Sequence, residues 1–316
     1  MQSTSSLHTA AVEAGGRRSG VKRRRSRNVW SSYVAIIPAA LVAAIYVGTM
    51  AWTIWISFTA SKMLPVNNFV GFDQYQRLFQ DQRWQISATN LVIYCVLFIA
   101  ISLALGLLLA IALDQRVRAE SAFRTIFLYP QGMSFIVTGL VWQWIMNPEL
   151  GLQKVVHQLG WTSAQLDWIA DSRFVIYVLV LAGVWQATGL VMAIMLAGLR
   201  GVDAELWKAA RVDGIPMWRF YAHIVIPLLK PMFATAIVLL AVAGVKLYDL
   251  VVAMTGGGPG ISSEVPAKFV MEYLFRRANI GLATTAATVM FVTVLAVVVP
   301  WIYVEHFRRQ EGRKPA

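Results

Sequence analysis

The chain has 316 residues, 58% of them apolar and 14% charged, against roughly 25% charged in an ordinary soluble domain. That composition excludes a disordered chain, and it gives a soluble domain of this size more apolar surface than it can bury. The net charge of +12, from 28 Lys and Arg against 16 Asp and Glu, raises nucleic-acid binding in a soluble protein and membrane topology in an integral one. The composition points to an integral membrane protein.

Residues 1–28 are rich in Ser, Gly and Arg and read as a disordered basic tail. Six windows then match the ~20 apolar residues that a membrane helix needs: 33–58, 91–113, 125–145, 174–199, 228–254 and 283–304. The first is longer than the ~7–15 residues of a signal-peptide core, so an uncleaved anchor is expected. Trp30, Trp52, Trp55, Trp142, Trp144 and Trp301 fall near span ends, as an interfacial belt predicts. The fold class expected is all-α and membrane-integral, with a transmembrane body over 29–307 and a short tail over 308–316.

Nineteen basic residues fall on one side of these spans: the 1–28 tail, the 114–124 loop, the 200–230 segment and the C-terminal tail. Eight fall on the other, and Lys246 lies inside a span. The positive-inside rule then places both termini in the cytoplasm. Cys95 is the single cysteine, which excludes an intrachain disulfide and a Cys-based zinc site. Its apolar run predicts a buried, inert thiol. His8, His157, His223 and His306 are scattered without ligand spacing, so no metal site is expected.

The connection 201–227 is too patterned for a bare loop. Leu206, Ala209, Ala210 and Val212 form an apolar stripe on a short helix that Asp203 is placed to cap. Gly214 ends that helix, and Pro216 opens a second amphipathic piece,. Such a pair either presents a knob to a partner or lies on the lipid surface.

Ala209-Ala210, three residues, Gly214, nine residues and then Ile224-Val225-Ile226-Pro227 resemble the "EAA" signature of permease subunits of bacterial ABC importers. Lys208 stands where the signature has Glu, and Ile226 where it has Leu; Glu205, one turn earlier, is positioned to stand in part for the missing carboxylate. Tyr129-Pro130, Trp142, Asn147-Pro148, Gly151-Leu152, Tyr248-Asp249, Gly257-Gly258-Pro259 and Gly281-Leu282-Ala283 are similar to the carbohydrate, maltose-type members, and among those to glucose/mannose-type permeases. The resemblance implies six spans and a second permease subunit as heterodimer partner. It further implies two ATPase subunits that hold the ATP and Mg, an external sugar-binding protein, and no cofactor bound by this chain. It makes Glu205, Lys208, Ala209, Ala210, Asp213, Gly214 and Pro227 the expected ATPase-coupling residues, and Gln186, Ala187 and Leu190 expected sugar contacts.

The fifth window holds Lys246 and Asp249 at i and i+3, which puts them on one face if the helix is continuous. Charges inside a span cost about 2.5–3.5 kcal/mol and usually face a cavity or each other. Three readings stand: a mutually satisfied pair, an interfacial Asp249, or a sugar-contacting face with Tyr248 as an aromatic platform. Gln186 is either an interhelical hydrogen bond or a sugar contact, while Gly189 and Gly198 suit close helix packing. The 255–263 stretch has no Gly-Lys-Ser/Thr and so cradles no nucleotide phosphate; it reads as a flexible re-entrant turn or a binding-protein contact. The resemblance makes sugar transport the leading function, and the lack of a membrane-embedded cation beyond Lys246 to meet a phosphate favours a neutral sugar,. Import of another solute such as glycerol phosphate on the same scaffold is the narrower rival. A membrane-embedded transferase is the other class, and it lacks the clustered carboxylates or His/Asp pair that such chemistry needs.

Overall fold

The computed structural model describes residues 29–311 apart from 116, 117 and 164. The expected basic tail 1–28 and the final residues 312–316 lie outside the described residues. The chain divides into two units, Met1–Met50 and Ala51–Ala316. Helix α1 (Val29–Ile56) runs through that division; in the first unit it exposes Ile37, Leu41 and Tyr46.

After the end of α1, the second unit comprises α2 (Asp73–Gln80), α3 (Gln82–Asp114), α4 (Glu120–Leu128), α5 (Phe135–Ile145), α6 (Leu152–Gln158), α7 (Val175–Arg200), α8 (Ala204–Val212), α9 (Met217–Phe220), α10 (Ile226–Leu228), α11 (Lys230–Val245), α12 (Asp249–Met254), α13 (Pro266–Met271) and α14 (Ile280–Glu311). Among the described residues there is no strand, only an isolated pairing of Thr59 with Phe69. Four helical stretches are long and apolar enough to cross a membrane: Ile36–Ile56, Gln82–Asp114, Val175–Arg200 and Ile280–Pro300. Two bent pairs, Glu120–Gly132 with Phe135–Ile145 and Met217–Leu228 with Lys230–Val245, raise this to six if each pair is one span.

Two expected spans are therefore not continuous helices. The 125–145 window turns by 100° through a tight turn at Tyr129–Gly132 containing Pro130. Proline lacks the N–H that a continuing α-helix needs; Ser134 then caps α5 by accepting from the Val137 N–H at 3.3 Å. In the 228–254 window α11 stops at Val245, and the Tyr248 N–H bonds the Lys246 carbonyl at 2.7 Å before α12 restarts at Asp249. Lys246 and Asp249 consequently do not share a face of one helix. Both side chains are exposed on this chain, where charges at membrane depth need a watery cavity or a partner rather than lipid.

The packed centre is α7 against α3. Helix α7 is apolar on all sides and buried along most of its length, as expected of a helix enclosed by others. Tyr94 and Phe98 of α3 stack at 5.2 Å over this contact. Gly189 lies against the backbone carbonyl of Phe127, where any Cβ would collide, and Gly198 lies against Leu229 and Met232. Both glycines therefore admit close helix approach, as read from sequence. Cys95 is half-buried rather than enclosed, and its Sγ would lie 2.7 Å from a Cβ placed on Gly244.

Candidate functional site

The 201–227 segment folds as a capped helix, a glycine turn and a second helical piece. Asp203 Oδ1 accepts the Glu205 N–H at 2.9 Å, which satisfies one of the free donors at the start of α8. At the other end Gly214 adopts φ +65°, a conformation costly for residues with a Cβ, and the Ile215 N–H reaches the Ala210 carbonyl at 3.0 Å. The inward face differs from the expected stripe. Trp207 packs on Phe220 at 4.7 Å and on Tyr221 at 5.5 Å, and Ala210 is buried beside them. Tyr221 accepts from the Gln115 amide at 3.1 Å, tying the segment to the end of α3.

Leu206, Ala209 and Val212 are exposed, Val212 to 87%, and Trp218 stays 65% exposed with the Arg219 guanidinium 5.1 Å from its ring. Leu206, Ala209 and Val212 of the apolar stripe thus face outward, while Trp207 and Ala210, three apart, take the inner face,. Glu205, Lys208, Asp213, Gly214 and Pro227 are exposed as well. The segment presents large apolar side chains among charges, the composition of a contact surface.

Gln186 sits inside, 3% exposed, and its Nε2 donates to the Met133 carbonyl at 2.8 Å. It bonds α7 to the break between α4 and α5, and its Oε1 is buried without a partner among the described residues. Ala187 is buried and Leu190 half-buried. On the neighbouring face, Trp185 meets Trp142 edge-to-face at 6.0 Å, and the two line an apolar cavity of about 400 Å³ with Leu109, Phe127 and Thr188. Trp142, expected near a span end, lines this cavity.

Tyr248 is separated from these residues. It lines a different cavity, of about 310 Å³, with Lys268, Met271, Glu272 and Arg276, and no residue of α7 borders it. Lys246 and Asp249 form no ion pair among the described residues, so the paired reading fails. Of the six expected sugar contacts, Tyr248 alone borders either of these two cavities.

The 255–263 turn is tied at many points, unlike the flexible turn expected. Thr255 and Ser263 hydroxyls meet at 2.8 Å, Ser263 Oγ donates to the Gly258 carbonyl at 2.7 Å, and Asn90 Nδ2 donates to the carbonyls of Ser262 and Glu264 at 2.8 and 2.9 Å. Arg83 donates to Glu264, and the Tyr273 hydroxyl donates to Asp81 Oδ2 at 2.6 Å. Burial, then the Asp81 hydrogen bond and charge, push the Tyr273 hydroxyl up to about 12, against the opposing pull of Arg277 and Arg83.

Against known proteins, residues 102–311 match the family described as binding-protein-dependent transport system inner membrane component. A probable ABC transporter permease protein of Pyrococcus horikoshii is 36% identical over 283 residues, covering 89% of this chain and 97% of that protein. The xylose/arabinose import permease protein XacH of Haloferax volcanii is 31% identical, covering 85% and 86%. The chain belongs to this permease family. Its fold also matches a bacterial alginate ABC transporter crystallised with an alginate pentasaccharide-bound periplasmic protein, at a TM-score of 0.74 and 18% identity over 91% of this chain and 96% of that one.

This permease is a non-catalytic membrane subunit, as its relatives are permease components. Among the described residues no group of three or more His, Cys, Asp or Glu side chains is placed to hold a metal ion. Sequence reading missed the charge cluster of the permease: Arg83 was counted only toward topology, and the buried Glu264 and half-buried Glu272 were not singled out. Arg83 lies far along the chain from both carboxylates, 181 residues from Glu264, so no local pattern announces those contacts. The available signal was their position beside the glycine turn and at the start of an apolar helix.

Proposed function

We propose that this permease forms, with a second permease subunit, the membrane path of an ATP-driven importer for a monosaccharide or small oligosaccharide of glucose/mannose type. Two ATPase subunits bind ATP and Mg and dock on the exposed residues of 201–227, and an external binding protein delivers the sugar. The permease body is residues 29–307, set in the cytoplasmic membrane with six spans and both termini inside; 1–28 and 308–316 are tails. The observation that carries the coupling half of this reading is the outward-facing set Leu206, Val212 and Trp218, held by the Trp207 anchor. An apolar surface of this kind, among charged neighbours and at one end of the bundle, suits a protein cleft. Glu205 and Lys208 lie on the same helix, with Asp213 and Gly214 at its C-terminal end.

For the sugar, this reading takes Gln186 Oε1, a buried acceptor without a partner among the described residues, as the group that meets a hydroxyl when the path opens, with Ala187 and Leu190 beside it. The half-buried Tyr248 ring, next to the exposed Lys246 and Asp249, offers the stacking face and charged rim that a polyol uses. These two groups serve successive points along the path, not one pocket. Resemblance supports the sugar class, and a xylose/arabinose permease among the relatives agrees with it. The test is ATPase stimulation of the complete reconstituted complex by a panel of sugars. Stimulation by hexoses is expected, and a complex stimulated by no sugar contradicts the reading.

A further inference from the structure

The cavity beside Tyr248 carries a charge arrangement that the neutral-sugar expectation did not count. Lys268 is half-buried, and its terminal methylene and ammonium lie 2.7 and 2.9 Å from where a Cβ on Gly257 would stand, so only glycine leaves that side chain its place. Gly257 adopts φ +92°, which independently favours glycine. Lys268 has no hydrogen-bond or ion-pair partner among the described residues.

The single carboxylate in the cavity lining is Glu272. It already faces Arg276 at 3.2 Å and Arg83 at 3.9 Å. Two cations, Lys268 and Arg276, therefore border the cavity against one carboxylate that is already engaged. The Lys268 ammonium, with no acceptor in this chain, is left free to meet an anion that enters the cavity,. Tyr248 adds an aromatic face to the same volume of about 310 Å³.

We propose that this cavity is a subsite for an anionic group carried by a sugar, a carboxylate or equivalent, with Lys268 pairing the anion, Arg276 at the rim and Tyr248 under the ring. This deepens the sugar-import reading and rests on it. The neutral-solute expectation followed from counting only cations inside hydrophobic windows. Lys268 and Arg276 escape that count because they lie in the 255–282 segment, which the fold brings back against Tyr248.

The test is equilibrium binding of radiolabelled glucuronate and glucose to the complete complex in lipid nanodiscs, without the external binding protein. Glucuronate is expected to bind more tightly than glucose, and Lys268→Gln to raise its Kd about tenfold or more, the loss of one charge-assisted contact, with glucose unchanged. Arg276→Gln, at an exposed rim position, is expected to give a smaller shift in the same direction. Equal binding of the two sugars, or an unchanged glucuronate Kd in Lys268→Gln, overturns the subsite and leaves the sugar-import reading standing. Absence of binding by either sugar overturns both.

Discussion

Arg83 Nε donates a 2.6 Å hydrogen bond to Oε2 of Glu264, a carboxylate with no exposed surface. The pair joins the start of α3 to the end of the glycine turn, and Asn90, two turns along α3, holds the neighbouring carbonyls. Removing one member of a buried ion pair strands the other charge and costs about 3–5 kcal/mol. Arg83→Ala is therefore expected to lower the thermal midpoint of the purified complex markedly. Glu264→Gln, which keeps the shape and an acceptor, is expected to cost less. Midpoints unchanged in both variants contradict a structural role for the pair.

Tyr273 provides a pH signature at the same end of the bundle. Its ionisation is pushed from 10.0 up to about 12 by burial first and by Asp81 second. A raised folded value favours the protonated phenol in the fold. Its contribution is complete below pH ~10, and is lost as pH rises through 12. Tyr273→Phe is expected to flatten the fall in thermal midpoint between pH 10 and 12, measured in detergent. Identical alkaline slopes in the two proteins contradict the assignment.

Close approach at Gly189 predicts a steric effect. A Cβ there collides with the Phe127 carbonyl, an immobile backbone atom in the last turn before the break. Gly189→Val is expected to cost about 1–3 kcal/mol, the range for overpacking, and to lower the yield of folded complex on size exclusion. A variant as stable as the parent shows that the backbone around Phe127 gives way.

Much of the fold was legible because hydropathy alone sets it. The apolar circumference of α7 and the length of α3 follow from runs without charge, and the Asp203 cap and Gly214 turn follow from local chemistry. The breaks at 129–134 and 246–248 were hidden because a window average does not register direction. Pro130, Lys246 and Asp249 were visible as residues, but the i, i+3 argument for the last two assumed a helix that the chain does not build. In the 201–227 segment, periodicity found the helix and its apolar stripe but not the Trp207 contact that anchors the opposite side. The Lys268 cavity was invisible because it is closed by a segment returning from 20 residues downstream of Tyr248.

The exposed side of 201–227 and its anchor have separable roles. Trp207→Ala removes the packing on Phe220 and Tyr221 and is expected to destabilise the segment itself, with loss of both assembly and turnover. Lys208→Glu changes only an exposed side chain and is expected to alter the maximal ATPase rate while leaving the apparent sugar affinity alone. Asp249→Asn is expected to do the reverse. Kinetics across sugar concentration distinguish these outcomes, and a Lys208→Glu effect confined to affinity contradicts a coupling role.

Val212 is 87% exposed on the proposed docking surface, so Val212→Asp leaves the packing of this chain intact while placing a charge where an apolar contact is expected. The most direct measurement is ATP-dependent uptake of labelled hexose into vesicles holding the complete complex, compared with Val212→Asp and with this chain alone. Saturable, ATP-dependent uptake by the complete complex is expected, with a large loss in Val212→Asp despite normal membrane insertion and none from the chain alone. Saturable sugar uptake by the isolated chain without an ATPase, or full activity in Val212→Asp, contradicts the account.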